Sequence, residues 1–157
     1  MLLPVVKERS PNVVQLSARE FTMNSPFNLK LKCQITSSLV PRHDKSVFYT
    51  GTIPGEEGPI SVLSMVEEYA DKHNKETLGR ALERGKIDMA LADISVWIFA
   101  SEVYAEKSSG VVHAVIGKWV KEGNVYHTIE KPALLKNPRV TTLIEHNVET
   151  WEATVVK

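Results

Sequence analysis

Histidines and carboxylates are the side chains with chemistry to offer in this 157-residue chain, which carries 5 of the former and 19 of the latter. His43 and Asp44 stand side by side in the loop-like run Pro41-Arg42-His43-Asp44-Lys45. An imidazole next to a carboxylate is half of a general acid–base pair, although adjacent side chains in an extended loop diverge. Glu67 and Glu68 fall on a helical segment, where either can act as a carboxylate base and where such pairs more often solvate a helix surface.

His113 and His127 invite two-imidazole phosphoester chemistry, one ring as base and one as acid. Both rings must then share a face. If their segments pair through a two-residue turn at Glu122-Gly123, alternation sends them to opposite faces, and only a three-residue bulged turn restores the match. Neither His113-Ala114-Val115 nor His127-Thr128-Ile129 places a hydroxyl two positions on. His73 suits the negative end of a helix, and His146 falls in a turn. The catalytic candidates are therefore His43, Asp44, Glu67, Glu68 and His127.

Neither a metal site nor a cofactor site is expected, because no His or acid cluster has ligand spacing. Gly55-Glu56-Glu57-Gly58 precedes a helix but lacks the Gly-Lys-Ser/Thr ending of a phosphate loop, and its two carboxylates occupy the field that an anion would need. Cys33 is the single cysteine, which excludes an intramolecular disulfide.

The elements that must position these groups start from the stretch Pro59 to Lys107. Gly58-Pro59 opens a helix, and Val62, Leu63, Val66, Tyr69, Ala70 and His73 fall on one stripe of it. A short helix with Leu78, Ala81 and Leu82 ends at Gly85. A third helix, Ile87 to Lys107, is apolar around most of its circumference. Asp88, Asp93 and Glu102 interrupt it at about 2.5–3.5 kcal/mol each for an acid at a bilayer centre, so it reads as a core helix rather than a membrane span.

Before this block, Val13 to Met23 suggests a strand. Leu29, Leu31, Cys33 and Ile35 alternate with polar neighbours as a strand with Cys33 pointing inward. Ser46 to Ile53 follows as a strand antiparallel to it. After the block, Val111 to Val120 and Asn124 to Glu130 read as a hairpin. Val140 to Ile144 fits either a helix or the first arm of a hairpin turning at His146-Asn147, with a strand from Val148 to Val156 in both cases.

The hairpin is the oddity. Val112, Ala114, Ile116, Val120, Val125 and Ile129 make one apolar face, while Val115, Trp119 and Tyr126 make the other. A sheet with one wet face should not be apolar on both, so either layers cover both sides or one side meets a partner.

The whole predicts one α+β domain over residues 1–157, with residues 1–11 as a loose arm. Its mostly antiparallel sheet packs on a central block of three helices. Lys plus Arg equals Asp plus Glu, so no net field draws the chain to nucleic acid or anionic lipid. The start has no basic region and too short an apolar run for a signal peptide, which makes the cytoplasm the expected location. The functional expectation is a non-enzymatic interaction or assembly protein, a homo-oligomer or a binder of a protein partner, using Trp119, Tyr126 and Val115 or else the over-apolar third helix. A small hydrolase or transferase with a His–carboxylate pair assembled in space is the alternative. A nucleic-acid or nucleotide binder comes third, because Lys118, Lys121 and Lys131 are few.

Overall fold

A computed structural model describes residues 25–157. The arm at residues 1–11 and the strand expected at Val13 to Met23 lie outside the described residues. The described chain is α+β, with helices α1 (Pro26–Ser38), α2 (Leu63–His73), α3 (Leu78–Arg84), α4 (Ile94–Lys107) and α5 (Lys131–Lys136), the last preceded by a π-helical turn at Tyr126–Glu130. Its strands are β1 (Val47–Thr50), β2 (Thr52–Ile53), β3 (Ile60–Ser61), β4 (Gly110–Ile116), β5 (Val140–Asn147) and β6 (Ala153–Val155).

The main sheet has the order β1-β4-β5-β6. It is mixed rather than mostly antiparallel, since β1 and β5 both run parallel to β4 and only β6 is antiparallel. Parallel neighbours need crossover connections, and helices supply them. A sheet of this kind is covered on both faces, and two apolar clusters show it. Phe48, Val112, Ala114 and Leu143 pack with α1 and α4 residues such as Ile35, Ala100 and Tyr104. On the other side, Val47 and Val115 pack against Val62 and Val66 at α2. Both apolar faces of β4 are thus buried within the chain.

The first strand of the sequence reading is instead α1. Ser25 caps it by accepting from the Asn28 backbone N–H at 3.2 Å, with Pro26 in the first turn. Leu31 and Ile35, four residues apart, are buried, whereas Leu29 and Cys33 are exposed. A four-residue spacing satisfies a strand's period and a helix's alike, and the Ser-Pro start decides for the helix. Cys33 therefore points to solvent, not inward.

Helix α4 begins seven residues later than its apolar pattern suggests. Asp93 is its N-cap and accepts from the Val96 N–H at 3.2 Å, and its other oxygen accepts from the Asn28 side chain at 3.2 Å, which ties the starts of α1 and α4 together. The second arm of the expected hairpin is not a strand. After β4, Gly117-Lys118-Trp119 runs beside β2, with Thr52 and Trp119 exchanging backbone hydrogen bonds at 2.9 and 3.1 Å. A turn through Gly123, at φ 73°, then enters the π-helical turn. The closing segment takes the hairpin alternative, β5 to β6. Among the described residues, no helix is long and apolar enough to cross a membrane.

Candidate active site

The site grows from the turn that sequence reading took for a strand. Asn124 anchors it: its side-chain oxygen accepts from the His127 N–H at 3.0 Å and from Thr50 Oγ1 at the end of β1 at 3.0 Å. Five residues then wind with π-helical geometry, and the Lys131 N–H donates to the Tyr126 carbonyl. Such turns carry an unusual side-chain stagger and are frequent at functional sites. Here Tyr126 and Glu130 are both buried. The Tyr126 hydroxyl donates to Glu145 at 2.7 Å, and Lys131 pairs with the same carboxylate at 2.9 Å, which fixes the turn against β5.

Glu130 is held the other way, toward the outer edge of β1. It lines a cavity of about 330 Å³ with Tyr49, Glu67, Trp97 and Ser101. The remaining walls are largely apolar, from Leu63 on α2 to Ile94 and Ile98 on α4. Burial pushes the Glu130 carboxyl up to about 8, only partly offset by a hydrogen bond with Ser101. The group therefore keeps its proton in the free protein at neutral pH. Burial also raises the Tyr49 hydroxyl, and the charges of Glu130 and Glu67 raise it further. Glu67 belongs to a different environment, half-exposed and 3.7 Å from Arg80.

Two carboxyl groups of unlike burial around one cavity are the arrangement that separates acid and base roles. Aromatic walls at Trp97 and Tyr49 offer faces for a planar ring. A desolvated carboxyl facing such a ring stabilises positive charge far better than one in water does.

The sequence candidates distribute differently. Glu67 lies on this cavity, whereas Glu68, one position on, faces a separate cleft. His127 is exposed and hydrogen-bonds to Asn124 at 3.0 Å. His43 and Asp44 form a clasp at the opposite ends of the strands. Asp44 accepts from the Val111 N–H at 2.7 Å, and His43 lies 2.9 Å from Ser109 Oγ and 3.3 Å from Asp44. That chain of Ser, His and Asp sits in the open, and its carboxylate is lowered first by the Val111 backbone bond, so it stitches a loop to β4. His113 pairs with His146 rather than His127.

Of the expected binding face, Val115 and Tyr126 are buried inside the chain and Trp119 alone is exposed. Burial on both sides of β4 accounts for most of its apolar residues within the chain, while Trp119 and Val120 stay exposed beyond its end. Among the described residues, no group of three or more His, Cys, Asp or Glu is placed to hold a metal ion. Glu130, Trp97, Tyr49 and Ser101 were not legible as a set, since their positions are scattered over three elements far apart in the sequence. The one faint signal is an acid ending the apolar-rich run Val125 to Ile129.

No family model and no curated protein matches the chain. Solved structures do. The fold is similar to that of the Aplysia cyclase complexed with substrate NGD and product cGDPR, at 18% identity and a TM-score of 0.51, over 72% of this chain and 53% of that one. An ADP ribosyl cyclase complexed with N1-cIDPR matches with the same values. The chain spans about half the length of these structures. At that identity the likeness establishes a shared fold. It also overturns the non-enzymatic expectation, because the proteins that share the fold are cyclases.

Proposed function

We propose that the chain is an enzyme acting on the glycosidic bond of an ADP-ribosyl donor, with Glu130 as the carboxyl group that faces the reacting sugar. The observation that carries this is Glu130 itself, a buried carboxyl in a cavity with aromatic walls. Fold supplies the substrate class, since the similar structures are cyclases with NGD or cyclic products bound.

Heterolysis of such a bond leaves positive charge shared between the anomeric carbon and the ring oxygen. A carboxylate in a low-dielectric wall stabilises that charge, so the ionised form of Glu130 is the working form. The proton that Glu130 holds in the free protein passes to solvent before the bond breaks. Trp97 and Tyr49 hold the leaving base by its faces, and Ser101 orients the carboxyl. The acceptor is water or a nitrogen of the donor's own base, and the products tell them apart.

NGD incubated with the protein is expected to lose its base, seen by chromatography and mass spectrometry, with cGDPR formed if the acceptor is internal. Glu130→Gln keeps the shape and removes the charge, and lowers turnover by about 10²–10³, the usual loss for one preorganised stabilising group. Absence of any turnover by the wild-type chain, or equal turnover by Glu130→Gln, overturns the assignment.

A further inference from the structure

A second cleft, of about 550 Å³, opens between α2 and the β5–β6 hairpin, within the range of small-molecule sites. It is built from rings. Trp151 lies flat on Tyr69, with centroids 5.4 Å apart and 12° between planes. His146 stacks on His113 at 5.1 Å and 17°, and His113 Nδ1 is 2.8 Å from His146 Nε2. The His73 ring stands 4.4 Å from Tyr69 on the same helix.

Trp151 reaches this position in the left-handed region, at φ 57°, a conformation that costs a bulky residue about 1–3 kcal/mol. The turn enforces it: the Asn147 side chain accepts from the Glu149 and Thr150 N–H groups at 2.9 and 3.3 Å, and the Trp151 N–H donates to the Asn147 carbonyl at 2.6 Å. Strain of this kind persists where the surroundings hold a side chain to a task.

The cleft is bordered by basic side chains as well as rings. Lys72 and His73 line it, with Glu68 as the carboxylate among the lining residues. Burial, then Lys75, His146 and His73, push the His113 imidazole down to about 4. Burial and His73 lower that of His146 as well. Two rings that burial keeps neutral are thus stacked together at the side of this cleft.

We infer that this cleft binds a planar heteroaromatic molecule carrying an anionic group, of the size and charge of a nucleoside monophosphate, with its ring on Trp151 and its anion toward Lys72 and His73. Burial is the main cause keeping these imidazoles neutral, and the negative charge of an arriving anion opposes it, so binding draws a proton onto the His113–His146 pair. This site is separate from the Glu130 cavity, and the inference stands whether or not the ADP-ribosyl assignment holds.

Calorimetry on the full chain tests it with AMP, adenosine and inorganic phosphate as probes. AMP is expected to bind, with adenosine and phosphate each at least about tenfold weaker, a difference of about 1.4 kcal/mol. Affinity rises from about pH 8 to about pH 6, with a binding heat that depends on the buffer's ionisation enthalpy, the mark of proton uptake. Lys72→Glu, on the exposed face of α2, and Trp151→Gly, which relieves the strained backbone, each weaken AMP at least about tenfold. No heat from AMP at millimolar concentration, or unchanged affinity in both variants, overturns the inference; the second result places AMP elsewhere on the chain.

Discussion

A proton on Glu130 has a consequence for stability that can be read without substrate. The folded carboxyl titrates at about 8 against an ordinary value of 4.5. Between those values the folded chain keeps a proton that the unfolded chain has released, so this group's contribution to stability declines as pH rises through the window and is level above it. Glu130→Gln removes the effect. Its melting temperature is expected to match the wild type near about pH 4.5 and to exceed it near about pH 8.

His113 has the opposite sign. Its folded value of about 4 lies below the ordinary 6.5. The unfolded chain therefore binds the extra proton first, and stability is lost as pH falls from 6.5 toward 4. His113→Gln should flatten the acid side of the stability curve, followed by circular dichroism melting. Of the residues chosen from sequence for their chemistry, Glu67 reaches the Glu130 cavity and the others lie elsewhere, for a physical reason. His43, Asp44 and His127 were legible because they stand among polar neighbours, and such positions are mostly surface. A buried carboxyl is sheltered by apolar neighbours, which makes Glu130 look like part of a strand.

At the scale of elements, the π-helical turn sets where Glu130 points. Asn124 holds its start through the His127 N–H and Thr50. Asn124→Ala should cost about 1 kcal/mol in urea unfolding, the usual worth of a helix N-cap, and should also lower turnover, because Glu130 loses its aim. Deleting Thr128 is a sharper variant: one residue fewer turns everything after it by about 100° of helix, carrying Glu130 away from the cavity.

Local signals served well where they were chemically specific. Helix α3 ends at Gly85, as the glycine suggested, and α2 keeps the buried stripe of Val66 and Ala70. They failed where two periods coincide, as with Leu31 and Ile35 in α1. They failed again at Tyr126 to Glu130, where a five-residue turn belongs to neither the strand nor the α period.

For the molecule as a whole, the decisive point is that both faces of β4 are covered by helices of the same chain. Val115 packs beneath α2, and Val112 and Ala114 pack beneath α1 and α4. Placing a charge in the first of these layers with Val115→Asp should abolish folding or cost more than about 4 kcal/mol, measured by denaturant titration. An α+β chain was legible from the succession of patterns, but the parallel order β1-β4-β5 was not, since no local signal tells a strand which neighbour it will meet. Two-sided burial around a parallel core leaves an edge at β1, and helices on either side close over that edge to make the Glu130 cavity.

The most direct test is the pH dependence of kcat/KM for NGD, which reports groups of the free enzyme. The wild type is predicted to rise through about pH 8 to a plateau, as Glu130 gives up its proton, and Glu130→Gln to show a low profile without that step. A wild-type profile that is flat, or that falls through the same range, contradicts a carboxylate at Glu130 as the working group.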